Sequence, residues 1–459
     1  MYQIDFGRPV SVHFIGIGGI SMSGLASVLL KEGFTVTGSD SVRSDLTDKL
    51  TAQGAVIAYP QAAENIPEKC DVVVYTAAIH PDNPEFKEAQ RRQIPMLTRA
   101  ELLGQVMANY QIPVAVAGTH GKTTTTSMLS QMALNADMDP TISVGGILPA
   151  IGGNFRVGGP DLFITEACEY TNSFLSFFPK VSLILNIDAD HLDFFKDIDD
   201  IRRSFRKFAE LLPEDGCLVI GSKIPRLEEI TNGLKCRVIT AGAEDGDYRA
   251  ENIEMRKDGT TSFDLVCPDG QPPVRVDLSV PGLHNVDNAL AAIAAADVVG
   301  IPRQSGLAGL TSFTGTDRRF QYKGTVNGFR IIDDYAHHPT EVKATLSAAR
   351  AQAEKEVWCV FQPHTYTRTK ALLPEFAEAL SGADHVVLAD IYAAREINTI
   401  GISSEDLCRE IAALGTHAEY FPDFETIEAY LLEHVKENDL LITMGAGNVY
   451  RIGEDLLAR

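Results

Sequence analysis

Apolar residues fall along this chain in short runs of strand length, each followed by a turn and a segment with helical spacing. Val10–Ile17 reads as a strand, followed by a glycine turn and a helix over Met22–Lys31. Thr35–Gly38 and Val72–Thr76 are further short runs. Strand and helix in alternation predict a parallel sheet with helices on its faces. The rhythm restarts at Ile112–Ala117, a buried-strand run, with a helix predicted over Thr123–Ala136. Leu162–Thr165 and Val181–Leu185 are strands in this reading, and Ser204–Leu212 is an amphipathic helix. Residues 247–280 change to shorter strands, with turn signals at Asp258-Gly259 and Asp269-Gly270. An alanine-rich helix over Asn285–Val299 follows. In the last third, Arg330–Ile332, Val357–Phe361, Val386–Leu388 and Leu440–Thr443 read as strands, and Val342–Ala353 and Leu372–Ala379 as helices. Boundaries fall near Leu103–Gln111 and Gly315–Gly324. There is no internal repeat or low-complexity linker, so the expectation is three α/β units joined by short hinges.

Length agrees with this count. At about 150 residues per domain, 459 residues suggest roughly three. The composition, 45% hydrophobic and 22% charged, allows each third an ordinary core. Net charge changes the picture more. At −22 the surface repels nucleic acid and anionic membrane, so an anionic ligand must be held locally, by arginines, lysines and backbone amides. Seven dispersed cysteines show no C-x-x-C spacing, which fits a reducing compartment. The segment from Met1 to Gly19 has no signal-peptide pattern, and no apolar run reaches the ~20 residues that span a bilayer. The expected location is cytoplasmic.

The sharpest chemistry follows Ile112–Ala117. Gly118-Thr119-His120-Gly121-Lys122-Thr123-Thr124 is a glycine loop between a strand and a helix. Glycines let backbone approach phosphate oxygens, and the helix start offers free N–H groups. Lys122 would neutralise β/γ oxygens, and Thr123 or Thr124 would sit on Mg²⁺. The loop is a short variant, because Val116 stands where the usual first glycine would be. A plain strand-to-helix turn with a surface lysine is the bland alternative.

Two further segments should converge on that loop. Glu166 ends one strand, and the next runs into Asp188-Ala189-Asp190-His191-Leu192-Asp193. Strand C-terminal ends line the ligand crevice of an open α/β sheet. Glu166 and the Thr123 hydroxyl could hold one Mg²⁺, and His191 could serve a second. Solvated strand-end charges and a turn-capping histidine are the bland alternative. Near the N-terminus, Gly16-Ile17-Gly18-Gly19 opens a helix, and Asp40 follows roughly 20 residues later, as the ribose-reading acid does in a dinucleotide fold. Ser21 replaces the third glycine. The turn suits a diphosphate, whether of NAD or of a sugar nucleotide.

In this order, with Gly282-Leu283-His284-Asn285 and Asn288, Arg318-Arg319-Phe320, the run from Asp333 to Glu341 and the run from Phe361 to Thr369, the chain resembles the Mur ligases over nearly its whole length. The resemblance implies an α/β protein of three domains: a Rossmann-like UDP-sugar-binding domain over 1–107, a central P-loop ATPase-type domain over 108–316, and a Rossmann-like C-terminal amino-acid-side domain over 317–459. It implies ATP and Mg²⁺ as cofactors. It also implies an ATP-dependent ligase of peptidoglycan precursor synthesis, with UDP-N-acetylmuramate and L-alanine as partners. No nucleic acid or membrane partner is expected, and the state would be monomer or homodimer.

The site follows residue by residue from the same resemblance. Gly118, Thr119, His120, Gly121, Lys122, Thr123 and Thr124 would hold the nucleotide phosphates, with Thr123, Glu166 and His191 on metal. Asn285 and Asn288 would reach the adenine side from one helix face. Arg319 would reach the transferred phosphate, and Asp334 would face the nucleotide. His337, His364, Tyr366 and Arg368 would surround the muramoyl carboxylate and alanine, with Lys122, Arg319, His337 and Arg368 the catalytic set. Gly16, Gly18, Gly19 and Asp40 would bind the UDP-sugar. Three positions depart from relatives: Thr365 replaces an arginine common there, Asn448 replaces an acid, and Phe205 stands where several relatives carry a carbamylated lysine, so no carbamate is expected.

The implied chemistry is activation of a carboxylate as an acyl phosphate, because oxide is a poor leaving group and phosphate a good one. Positive groups must first remove the repulsion between two anions. The amine of alanine must lose a proton before it attacks; a carboxylate or histidine of the cleft is available as base. Alternatives are an NAD(P)-dependent oxidoreductase, which would leave the phosphate loop idle, a noncatalytic nucleotide-binding regulator, and a murein-peptide-recycling ligase. The Met22-Ser23-Gly24 turn leans away from the last. For Asp333–Glu341, a helix start with Pro339 at its first position is a structural reading that can coexist with a site.

Overall fold

The computed structural model describes residues 2–459. Met1, where the first expected domain and the signal-peptide reading begin, lies outside them. Four sheets organise the chain. The first has five parallel strands, spatially Val56–Ala58, Thr35–Ser39, Ser11–Ile15, Val72–Tyr75 and Met96–Thr98. Chain order reverses on either side of Ser11–Ile15, so the glycine turn after it opens at the topological switch point, where α/β sheets bind ligands.

The second sheet has seven strands, with Ile112–Ala117 between Val181–Ile184 and Leu162–Glu166. Three strand ends therefore deliver the glycine loop, Glu166 and the Asp188–Asp193 segment to one edge. Gly153–Arg156 alone runs antiparallel, at the sheet's end. The turn-rich region forms a small antiparallel sheet of Arg249–Met255, Thr261–Val266 and Val274–Leu278. The last sheet has six strands around Leu440–Met444, with Gln321–Val326 antiparallel at its edge.

Several elements differ from the pattern reading in extent. The helix expected from Ser204 begins at Ile198. Asp197 caps it by accepting from the Asp200 amide, and Asp199 and Asp200 complement the positive helix end. The acids between Ile198 and Ile201 mask the start of an apolar face that continues through Phe205 and Phe208. The strand expected over Arg330–Ile332 runs Phe329–Asp334, because Asp333 is satisfied inside the sheet by Thr443 Oγ1 at 2.8 Å and Arg318 Nε at 3.0 Å. The helix Lys122–Asn135 begins with a run of threonines that propensity would not favour. Packing decides it: Thr125, Thr126, Ser127 and Ser130 are buried against neighbouring helices. One of these, Leu283–Val299, is alanine-rich, and small residues let the axes approach closely.

The first and central units share one core. Val12, Phe14, Leu25 and Val106 of the first pack in the same cluster as Phe163, Phe174, Phe205 and Phe208 of the central one. Phe155 lies against Gly24, where a Cβ would stand 2.3 Å from its ring. Lys31 also donates to the Gly158 carbonyl across this joint. The C-terminal sheet has apolar clusters of its own on each face.

Gly24→Ala should therefore destabilise the protein by about 1–3 kcal/mol, the usual cost of overpacking. Denaturant unfolding measures this, and Phe155→Ala in the same chain should recover part of the loss. An additive double mutant would show that the contact does not join the two units.

Candidate active site

The glycine loop takes its shape from backbone that only glycine adopts easily. Gly118 and Gly121 have φ of 144° and 83°. A Cβ on Gly121 would lie 2.4 Å from Asn288 Oδ1, so helix and loop meet there without room for a side chain. Asn186, at the end of the neighbouring strand, brackets the loop. Its Oδ1 accepts from the His120 amide at 2.8 Å, and its Nδ2 donates to the His120 carbonyl at 3.0 Å. Thr119 Oγ1 accepts from the Asp188 amide at 2.9 Å.

Lys122 is folded back over the loop. Its Nζ donates to the carbonyls of Gly118 (2.5 Å) and Thr119 (3.1 Å) and pairs with Glu169 at 3.0 Å. Burial opposes its charge, but Glu169 outweighs this, and the ammonium is held above its ordinary pKa. Thr123 Oγ1 accepts a long hydrogen bond from Arg319, at 3.4 Å. Glu166 Oε1 accepts from the Gly145 amide at 2.5 Å. A Cβ on Gly145 would press on Glu166 Oε2 at 2.8 Å, and one on Gly146 would lie 3.3 Å from Thr123 Cγ2. The glycine pair thus brings Thr123 and Glu166 to one place and keeps room beside the carboxylate. A hydroxyl and a carboxylate are hard oxygen donors, so this pair fits Mg²⁺. His191 stands apart in its contacts, tilted against the Tyr170 ring at 4.5 Å.

A cavity of about 330 Å³ continues from the loop. His120, Gly121, Thr124, Asn285, Asn288, Arg319 and Asp334 line it. Asn285 and Asn288 share a helix face: Asn288 Nδ2 donates to Asn285 Oδ1 (3.0 Å), and Asn285 Nδ2 to the Pro281 carbonyl (2.7 Å). Burial raises Asp334 to about pKa 6, although Arg319 and two backbone amides, Phe320 and Ala336, favour its charged form.

The C-terminal unit closes over this cavity through polar contacts. Arg368 pairs with Asp190 at 2.7 Å and also meets His364 Nδ1 at 3.1 Å. Asp190 is buried, which alone would raise its pKa, but Arg368 holds its carboxyl well below the usual range. His337 Nδ1 faces the Tyr335 carbonyl at 3.0 Å and Glu341 at 3.4 Å, and burial lowers it to about pKa 4. His364 is also lowered to about 4, by burial and then Arg368, and it stacks on Tyr392. Tyr366 heads the short helix Tyr366–Ala371 that carries Arg368. Thr365, just before it, has a φ of 64°, and His191, Arg318 and Phe320 share that left-handed region. Non-glycine residues held there are strained, and these lie on the segments that bound the cleft.

The UDP-sugar candidates lie elsewhere. Gly16, Gly18 and Gly19 form the turn after Ser11–Ile15, and Gly19 begins the helix Ile20–Lys31. Asp40, the candidate ribose-reading acid, is held against the turn. Its Oδ2 accepts from the Gly18 amide and its Oδ1 from the Ser41 amide, at 2.8 and 2.7 Å, so it braces the turn.

Sequence reasoning missed several participants. Glu169, which keeps Lys122 charged, and Asn186 belong to no motif string. Arg318 looked like a twin of Arg319, yet it donates to the Gly445 and Gly447 carbonyls and to Asp333. Both guanidinium groups lie over the Tyr335 ring, at 4.9 and 5.0 Å. Asn448 accepts from Gln362 at 3.2 Å, which ties down the same glycine loop. Phe205 is buried edge-to-face on Phe174. An Arg-Arg pair at a predicted hinge was the one usable signal for Arg318.

Comparisons with known proteins match this chain along its length. Family models described as Mur ligase family, catalytic domain, Mur ligase middle domain, and Mur ligase, glutamate ligase domain match residues 11–111, 116–296 and 318–447. A UDP-N-acetylmuramate–L-alanine ligase of Lachnospira eligens is 58% identical over 459 residues, all of both chains. One of Agathobacter rectalis is 59% identical over 460 residues, again all of both. Among solved structures, the UDP-N-acetylmuramate–alanine ligase of Thermotoga maritima superposes with a TM-score of 0.79 at 28% identity, covering 98% of this chain and 99% of that one. A murein peptide ligase of Psychrobacter arcticus gives 0.70 at 25%, covering 98% of each.

Arg368→Ala leaves Asp190 buried without its partner and should cost about 3 kcal/mol in unfolding free energy, whereas Arg368→Ala with Asp190→Ala should cost much less. A double-mutant cycle by chemical denaturation checks this. A double-variant loss equal to the sum of the two single losses would mean that the pair is not coupled.

Proposed function

The chain belongs to the Mur ligase family, and on that premise we propose that it joins L-alanine to the muramoyl carboxylate of UDP-N-acetylmuramate, with ATP cleaved to ADP and phosphate. The observation that carries this reading is full-length identity above 55% to ligases of that description, on a chain whose cavity ends at a phosphate loop with a buried, charged lysine. It is an ATP-dependent amide-bond-forming enzyme of peptidoglycan precursor synthesis. The oxidoreductase reading leaves that loop and Asn285/Asn288 without a task. The peptide-recycling reading has support from solved structures of 25% and 29% identity, far below the 58% and 59% of the alanine ligases.

Each residue has a role in this proposal. Phosphate enters against the loop amides and exchanges for Glu169 on Lys122, which is already protonated. The muramoyl carboxylate then attacks the γ-phosphorus in line and forms the acyl phosphate, with Lys122 and Arg319 offsetting the charge of both anions. Mg²⁺ held by Thr123 and Glu166, with His191 toward the sugar side, would neutralise phosphate charge. Asn285 and Asn288 hold the adenine side, and Asp334 faces the nucleotide. Arg368 attracts the carboxylates of the two acceptors, the neutral His364 can donate its Nε2–H to one of them, and Tyr366 borders them. His337 donates Nδ1–H to the Tyr335 carbonyl, so its Nε2 keeps a lone pair that can accept a hydrogen bond from the alanine nitrogen, whose proton passes to a carboxylate or histidine of the cleft before attack. Alanine nitrogen adds to the acyl carbon, the tetrahedral intermediate collapses, and phosphate leaves. The polar contacts that hold the cleft shut keep water from the acyl phosphate.

The first turn, Gly16 to Gly19, serves the UDP diphosphate. No helix among the described residues is long and apolar enough to cross a membrane. An enzyme that uses ATP and a UDP-sugar works where those nucleotides are, so we place it in the cytoplasm.

Two experiments test the reading. With ATP, Mg²⁺, UDP-N-acetylmuramate and L-alanine, ADP should form only when both acceptors are present, and glycine, serine or a tripeptide should replace alanine less well. Turnover that prefers the tripeptide would transfer the chain to the recycling class. Lys122→Ala should lower turnover by on the order of 10²–10³-fold, as loss of one transition-state donor does, while UDP-sugar binding measured by calorimetry persists. Full turnover in that variant would remove the loop from the mechanism.

A further inference from the structure

Three nitrogen and oxygen donors from two units meet beside the nucleotide cavity, away from the Thr123–Glu166 pair. His120 Nε2 lies 3.1 Å from Asp188 Oδ2, and His338 Nδ1 lies 3.9 Å from the same oxygen. The three donor atoms lie within 4.8 Å of one another. Bonds of about 2.0–2.1 Å at a tetrahedral ion set its ligands roughly 3.4 Å apart, and the two measured separations straddle that value.

Each donor is oriented by its neighbours, and His338 Nδ1 accepts a long hydrogen bond from the Thr340 amide, at 3.3 Å, that an ion would displace. His120 Nδ1 faces Glu341 Oε1 at 3.1 Å, and His338 Nε2 faces the Ala189 carbonyl at 3.1 Å. Asp188 accepts from the Ala189 amide at 2.8 Å and from Thr340 Oγ1 at 2.7 Å. A carboxylate or carbonyl on the far nitrogen is the arrangement that fixes the tautomer of a metal-bound imidazole. Mg²⁺ prefers all-oxygen surroundings, whereas two imidazoles and one carboxylate with a fourth position open suit Zn²⁺ or Co²⁺.

We propose that His120, Asp188 and His338 form a binding site for a borderline divalent transition metal, Zn²⁺ or Co²⁺, that spans the cleft between the central and C-terminal units. In its absence His120 lies between two carboxylates, with Nδ1 on Glu341 and Nε2 on Asp188. Because His338 comes from the C-terminal unit, the ligand set is complete only when the cleft is shut. An ion bound there fastens the closed state and slows product release. The site thereby makes the ligase sensitive to a metal that its chemistry does not use.

The full-length protein, stripped of metal and returned to excess Mg²⁺, is titrated with Co²⁺. One Co²⁺ per chain should bind with the visible bands of a tetrahedral ion. Asp188→Asn and His338→Asn should each bind it at least about tenfold more weakly, the usual effect of disturbing a metal ligand or its support. Asparagine keeps a capping acceptor for the helix Pro339–Gln352, and thermal unfolding checks that both variants are folded. Zn²⁺ at saturating Mg²⁺ and ATP should reduce wild-type turnover about tenfold or more, and His338→Asn less than about twofold relative to its own metal-free rate. Equal Co²⁺ affinity in wild type and a folded His338→Asn or Asp188→Asn overturns the proposal. So does loss of the bands in Glu166→Gln, which would put the ion at the magnesium pair. Co²⁺ binding needs neither nucleotide nor acceptor, so its failure is distinct from failure of the ligase reading.

Discussion

A buried ammonium persists only where a carboxylate stands beside it, and the site depends on that pairing between Lys122 and Glu169. The chain carries a net charge of −22, so its field repels the triphosphate that it must bind. The fold meets this constraint locally. A lysine charged in advance is wrapped by the loop's own carbonyls, with a counterion that phosphate can replace. The carboxylate neighbours that look unhelpful to an anion site keep its cation ionised until the anion arrives. The same logic recurs at Asp190 with Arg368, and at Asp334, where Arg319 only partly offsets burial.

Strand existence was legible because buried parallel strands are apolar throughout. Ile112–Ala117 and Val357–Phe361 read with the bounds that the structure gives them. Elements led by polar residues were harder. The helix Ile198–Ala209 starts on a capping aspartate and two acids, and the edge strand Gln321–Val326 is polar and half exposed. The strand carries no hydrophobic period, and in the helix acids interrupt the one that Ile198 and Ile201 share with Phe205 and Phe208. The helix after the glycine loop contradicts its own propensity and forms because other helices cover it.

The candidate site was legible where one backbone motif holds several functions, as in Gly118–Thr124. It was less legible where function comes from distant segments. Glu169, Asn186 and Glu341 act through atoms more than 40 residues away along the chain, and spacing cannot report them. Asp40 shows the converse. Its position fits a ribose reader, and its carboxylate also accepts from the Gly18 amide, a second role visible only once the turn is built. Arg318 and Arg319 differ by one position and point opposite ways around the Tyr335 ring, one to the C-terminal loop and one to Thr123.

Phe155 filling the space above Gly24 has a mechanical consequence. It belongs to an apolar seam continuous with the cores of the first two units, whereas the third meets them through ion pairs and hydrogen bonds that water can replace. Those two units behave as a fixed caliper. The span from the Gly16–Gly19 turn to the phosphate loop is set by packing. With the diphosphate held at that turn as proposed, an acceptor whose carboxylate is too close to or too far from its diphosphate would not reach the γ-phosphate. Reach along the sugar nucleotide is thus gauged by a hydrophobic joint that never touches it.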